Sequence, residues 1–417
     1  MSDSKTRLYA LDGLRGLAAL SVFLWHNFIS FFPGCNIPEA PTHSYFLEKV
    51  IFPSPASFLF SGDFAVYVFF VLSGFVLSLK FFIKPDSESL KSQYFRRYVR
   101  LMPPAAITVF VAFVILKNGW MYNINAAIIV NQSTIHKLIT TSADLTHGSD
   151  MMVNIPNSLW LVFNWHNVII TFQNACWQAF WAVWFEPILP GSQFNSNLGT
   201  LFLEIIGSYT VYFFLMVCIC LKIPKILRYF LQCSLIVSSI LVFQEPHYVV
   251  FMVGMFVADI YVNSKAIFDK LIKYRLGYLF LVISIYFGSF NSVNCTSVWA
   301  KPIMDIMPGV IPPMFWTWIC GSTFLLISVL TVLPLQRMLE LKMCKFLGTY
   351  SYSLYLCHTV FIGSVTCFLF TTISGLHKYS YIENVFLSIV AGLPLFMLFV
   401  YAVKKIDDLS TNLSRKI

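Results

Sequence analysis

Two residues capable of acid–base and anion chemistry sit where a lipid-embedded chain can least tolerate them. The stretch Leu8 to Phe32, LYALDGLRGLAALSVFLWHNFISFF, is apolar over about one membrane thickness yet carries Arg15 and His26. Eleven residues separate them. At about 100° per residue that is three turns plus roughly 20°, so both side chains project from nearly one helix face, about 16 Å apart along its axis. A guanidinium deep in a bilayer costs roughly 2.5–3.5 kcal/mol even after snorkelling, so such groups face a bundle interior or a wet cavity and mark a pathway or a site. The plainer alternatives are that Arg15 snorkels to lipid phosphates beside Asp12 and that His26 only satisfies a neighbour.

Other polar residues interrupt apolar sequence. Glu204, in FNSNLGTLFLEIIGSYTVYFF, lies a short way inside the outer end of its segment. It is read as a functional carboxylate with His26 as its natural partner, against a structural tie between helices. In KFLGTYSYSLYLCHTVFI, Ser351, Tyr355 and His358 stand at i, i+4 and i+7 and form a second polar stripe. In YFRRYVRLMPP, Arg96, Arg97 and Arg100 cluster before Pro103 and Pro104, with Arg97 and Arg100 on one face. Three guanidiniums at a membrane surface serve either as a topology determinant or as a clamp for phosphates, whose oxygens the planar fork matches bidentately. Ser73-Gly74, in GDFAVYVFFVLSGFVLSLKFF, lets a helix or a ligand approach closely.

What must position these groups is a helical membrane bundle. The chain of 417 residues is 58% hydrophobic and 11% charged, with 42 Phe, more apolar surface than a soluble globule could hide. An all-α polytopic integral membrane protein is therefore expected, with about ten transmembrane helices near 8–32, 57–83, 101–117, 198–221, 226–243, 247–263, 277–291, 308–333, 346–370 and 382–403. With both termini cytoplasmic, only Lys49, Lys117, Lys137, Lys301 and Lys378 fall outside, Arg15 lies within a span, and the other basic residues face inward. The polar start and the absence of a small-residue cleavage pattern lead us to expect that the first segment is retained.

Residues 1–417 read as a single membrane domain with a long outer section at about 118–197. That section holds His136, His147, His166 and Trp177, Trp181 and Trp184 at i, i+4 and i+7, expected as an interfacial aromatic stripe, with a lid or acceptor wall as the other reading. The net charge of +9 belongs to the cytoplasmic rim, where it would attract anionic membrane lipid, and is no nucleic-acid signature. The ten cysteines show no metal-ligand spacing and no metal is expected. Cys35, Cys176 and Cys295 lie outside, leaving one disulfide among them open, as do two glycosylation-type triplets at Asn131 and Asn294. Asp259 is read as a packing or interface residue.

The motifs together resemble the membrane acyltransferase-3 family of bacteria and fungi, which includes polysaccharide O-acetyltransferases and macrolide acyltransferases. LDGLRGLAALSVFLWH is similar to its first-helix signature, FFVLSGFVLS to its second helix, RRYVRLMPP to its RxxR motif and LGTYSYSLYLCH to its late helix. They occur in the family's order across nearly the whole chain. One segment departs: where the family commonly has tryptophan this chain has Gly199, although Asn195, Leu198, Thr200, Leu201 and Glu204 remain.

The resemblance implies an O-acyltransferase whose co-substrate is acetyl-CoA or another acyl-CoA, handing its acyl group to a hydroxyl-bearing acceptor such as a carbohydrate, glycolipid or small molecule. Arg96, Arg97 and Arg100 would hold the donor phosphates, Arg15 would guide the arm or polarise the thioester, and His26 would serve as base or as transient acyl carrier. Glu204 would orient the imidazole, and Ser73, Ser351, Tyr355 and His358 would line the substrate site. The competing class is a proton-coupled carrier of a small solute, since buried Arg, His and Glu also relay protons. Consumption of acyl-CoA separates the two.

Overall fold

In hydrocarbon every backbone polar group must find its partner within the chain, and a sequence this apolar meets that demand with helix. The computed structural model describes residues 3–36, 45–130, 160–189, 191–243 and 246–417, and among them there is no strand. His136, His147 and the Asn131 triplet lie outside the described residues.

The long helices are α1 (Asp3–Phe31), α2 (Gly62–Ile83), α3 (Ser87–Lys117), α4 (Gly199–Cys220), α5 (Lys225–Ser238), α6 (Pro246–Asn263), α7 (Leu276–Gly288), α8 (Pro313–Thr331), α9 (Lys342–Phe361) and α10 (Tyr381–Ser414). Helix therefore stands at each of the ten expected stretches. Among the described residues seven candidates are long and apolar enough to cross a bilayer, eight if α6 is joined to the 265–273 helix beyond it at an 89° bend. α7 has 13 residues, which is about 20 Å and short of a hydrocarbon core of about 30 Å. Contacts between α1 and α9 climb in parallel, as do those between α2 and α6, where Tyr67 meets His247 at 5.4 Å and Phe75 meets Tyr261 at 5.9 Å.

α3 does not begin at residue 101 as expected. It runs unbroken through Pro103 and Pro104, so the arginine cluster and the apolar span form one rigid rod. The missing N–H groups free the carbonyls of Val99 and Arg100, a cost the surrounding bundle absorbs.

Glycine sets two close helix crossings. A Cβ on Gly16 would strike the backbone of Leu347 and Gly348, and one on Gly348 would strike the backbone of Asp12, so α1 and α9 touch main chain to main chain. Gly74 and Gly254 do the same for α2 and α6, against Phe251 and Val71. Of the Ser73-Gly74 pair, the glycine is thus spent on packing, and the serine is left to face elsewhere.

Other expectations change on folding. The tryptophan stripe is split by a π turn at Gln178–Ala182: Trp177 and Trp181 are 44% and 52% exposed, whereas Trp184 is fully buried and donates to the Ala179 carbonyl at 2.9 Å. All ten cysteines are free thiols, and burial beside the Glu48 carboxylate pushes the Cys35 thiol up, keeping it protonated. Asn294 is fully buried and bonds the carbonyls of Phe52 and Ser289 at 3.2 and 2.8 Å, so that triplet is a structural knot closed to glycosylation.

Asp259 is fully buried and ties α5 to α6, accepting from Arg228 Nε at 2.5 Å and Nη2 at 2.6 Å, from Gln232 at 2.6 Å and from Asn263 at 2.8 Å. Removing one partner of such a pair leaves an uncompensated charge. Asp259→Ala should destabilise by about 3–5 kcal/mol, seen as a lowered unfolding midpoint in detergent, and an unchanged midpoint would show the cluster to be idle. Gly348→Val should also lower the midpoint, by the roughly 1–3 kcal/mol of an overpacked contact, whereas Gly375→Val, which meets nothing within 4 Å, should leave it near wild type.

Candidate active site

Ten residues beyond Gly16 stands His26, and ten beyond Gly348 stands His358. Because α1 and α9 are parallel and locked at those glycines, each histidine is carried about 15 Å along its helix to the same height. The rings meet there with 4.8 Å between centroids and 2.9 Å between His26 Nδ1 and His358 Nε2.

The hydrogen-bond network fixes the tautomers. His358 Nδ1 lies 2.7 Å from the Tyr355 carbonyl, which can only accept, so Nδ1 carries the proton and Nε2 is an acceptor. His26 Nδ1 must then donate to His358 Nε2, sharing its proton with the Val22 carbonyl at 3.1 Å. The lone pair of His26 Nε2 is left for chemistry. A proton arriving there makes an imidazolium whose other N–H already points at an acceptor, which is how a paired histidine works as a base.

His26 is half-buried and opens on a cavity of about 200 Å³, with Trp25, Asp63, Trp160, Asn164 and Asn197 among its walls. His358 is fully buried and lines neither this cavity nor its neighbour, so its expected place at the substrate is corrected: it stands behind His26 as its support.

The neighbouring cavity, about 150 Å³, has room for on the order of ten waters. Arg15, Arg97, Arg100, Ser73, Ser351 and Glu204 are among its walls. Glu204 does not reach His26 as expected. It accepts from Arg97 Nη2 and, at 2.9 Å, from Ser73 Oγ, because α3 runs antiparallel to α4 and brings the guanidinium to the carboxylate. Arg15 keeps Asp12 at 3.7 Å while still facing the cavity. Three guanidiniums face one lining carboxylate and, with Asp12 beside Arg15 counted, still leave one positive charge in excess, the electrostatics of an anion site. Arg96, expected with the other two, is not among the lining residues.

Val66, Thr200 and Tyr355 belong to both cavities and form the seam between them. The Tyr355 hydroxyl pairs with Thr200 Oγ1 at 2.7 Å and donates to the Asn197 carbonyl at 3.1 Å, while Asn197 Nδ2 donates to the Tyr355 carbonyl. The segment before α4 is sewn to α9 by Asn195, which donates to the Leu356 carbonyl at 2.8 Å, and by Thr359, which donates to Asn195 at 2.6 Å and Asn197 at 3.0 Å. Gly199, where the resemblance leads one to expect tryptophan, faces the Gln193 amide instead.

Asp63, Trp160 and Asn197 are the residues that reading the sequence missed. Asp63 could have been found as an acid at the outer end of the second apolar segment; Trp160 carried no signal in a long aromatic-rich loop.

A family described as an acyltransferase domain matches residues 8–404. Among curated proteins the chain is 34% identical over 119 residues to the O-acetyltransferase PaAT-1 of Phomopsis amygdali, covering 26% of this chain and 23% of that protein. It is 32% identical over 116 residues to the acyltransferase MdmB of Streptomyces mycarofaciens, covering 28% and 26%. The matched stretch thus spans about a quarter of each relative. No solved structure matches. A match running through nearly every helix, including both histidine-bearing ones, places this multi-pass membrane protein in the acyltransferase domain family.

Proposed function

We propose that the protein is a membrane O-acyltransferase that takes an acyl group, acetyl in the first instance, from acyl-CoA and delivers it to a hydroxyl at His26. The observation that carries this reading is the adjacency of two unlike cavities, one cationic and one holding a histidine with a free lone pair, separated only by Val66, Thr200 and Tyr355. The relatives' names support the same chemistry.

Acyl-CoA is a polyanion with its thioester at the end of a long arm. Arg97, Arg100 and Arg15 suit its phosphates, with Glu204 and Ser73 holding the Arg97 fork in place, and the arm points the thioester toward the seam. His26 Nε2 takes the proton of the acceptor hydroxyl as the oxygen attacks the thioester carbon. The new C–O bond forms, the C–S bond breaks, and the proton passes from His26 to the departing thiolate. His358 acts through His26 and is a positioning residue.

Protein in nanodiscs allows direct tests. His26→Ala should cut acetyl-CoA turnover by about 10²-fold or more while acetyl-CoA still binds, and His358→Gln should lower kcat with little change in donor KM. Wild-type turnover in His26→Ala would remove the base. Arg97→Ala with Arg100→Ala should weaken CoA binding at least about tenfold, from charged hydrogen bonds worth about 1.5–3 kcal/mol each; unchanged affinity would remove the clamp and favour a solute carrier, which ignores CoA. Val66→Trp, which fills the seam, should leave donor binding intact and abolish transfer.

A further inference from the structure

The cavity at His26 carries a charge that the transfer chemistry does not use. Asp63 stands in the first turn of α2, and its exposed side chain opens on the cavity rather than packing away. Among the described residues it has no hydrogen-bond donor and no cation beside it, and no Lys or Arg lines this cavity. By contrast, Glu204 is paired with Arg97, Asp259 with Arg228 and Asp407 with Lys404.

Around Asp63 the walls are aromatic. Trp25, Trp160 and Tyr355 line the same space, and the Trp160 ring is 5.2 Å from that of His26. A cavity-lining carboxylate without a counter-ion, with Trp25, Trp160 and Tyr355 on the same walls, favours a cation: the carboxylate supplies charge and aromatic rings attract cations to their faces. The donor cavity is the electrostatic opposite, so each substrate is drawn to its own side of the seam.

We infer that Asp63 is an acceptor-selecting residue and that the acceptor is a hydroxyl compound bearing a positive charge, an amino or ammonium alcohol, rather than an acidic one. The ammonium would sit against Asp63 and the indoles while the hydroxyl reaches His26 Nε2. The inference rests on the transfer reading, since it names the substrate class of the same site.

Small probes that fit the cavity test it directly: choline, ethylene glycol and glycolate, each offered with acetyl-CoA to wild type, Asp63→Asn and Asp63→Lys in nanodiscs, with ester formation followed by mass spectrometry. In each ester the probe oxygen gains the acetyl carbon, the C–S bond breaks and the hydroxyl proton ends on the CoA thiol. Wild type should acetylate choline at least about tenfold faster than glycolate, since like-charge juxtaposition is costly. Asp63→Asn should bring that ratio to within about twofold, and Asp63→Lys should reverse it. A wild type that turns over acetyl-CoA through His26 yet forms no choline ester, or shows the same ratio in Asp63→Asn, overturns the inference and leaves acyl transfer standing. A wild type whose acetyl-CoA turnover does not depend on His26 overturns the transfer reading itself.

Discussion

The contact on which the rest depends is between two backbones, at Gly16 of α1 and Gly348 of α9. Without side chains there, the helices lie at a separation that no other residue pair would permit, and their parallel course converts that single crossing into alignment at several heights. Arg15 and Ser351 face the first cavity just beyond it, Tyr355 forms the seam a turn later, and His26 meets His358 at the far end. One contact without side chains thus sets the register of nearly every polar group in the site.

The polar groups are kept affordable by pairing. Glu204 neutralises Arg97 and is itself held by Ser73, so a guanidinium that would otherwise move is fixed in the cavity wall. His26 and His358 share one chain of hydrogen bonds ending on a main-chain carbonyl, which satisfies the fully buried His358 and the half-buried His26 without a carboxylate. The two cavities differ in kind: the guanidiniums cluster in one, and the histidine pair opens on the other.

Much of this was legible in the residues. Apolar runs located the helices, and period-3.6 spacing found both polar stripes, because each stripe repeats along one chain segment and needs no knowledge of its neighbours. What was not legible is which stripe faces which. Glu204 was assigned to His26 because both lie in outer halves of their spans, but the antiparallel approach of α3 delivers Arg97 to it first. His358 was placed at the substrate because it shares a face with Tyr355, whereas the close crossing at glycine turns it onto His26. The tryptophan stripe failed for a local reason: a π turn adds a residue to one turn and rotates every later side chain of the helix, and no residue type announces it. Asp63 carries no signal of its cavity in the sequence, because that cavity is made by α1 and the Trp160 segment, which are distant along the chain.

Tyr355 holds two positions at once. Its hydroxyl closes the wall between the cavities, and its carbonyl is the anchor of the histidine chain, while Asn197 grips both ends of the residue. The bonds of the hydroxyl and the bond of the carbonyl are separate, so the ring can turn without breaking the anchor, whereas a shift of the α9 backbone disturbs both. One residue thus serves two structures through different atoms: its ring belongs to the cavity wall and its main chain to the histidine pair, so a substitution that keeps the backbone can alter the first and spare the second.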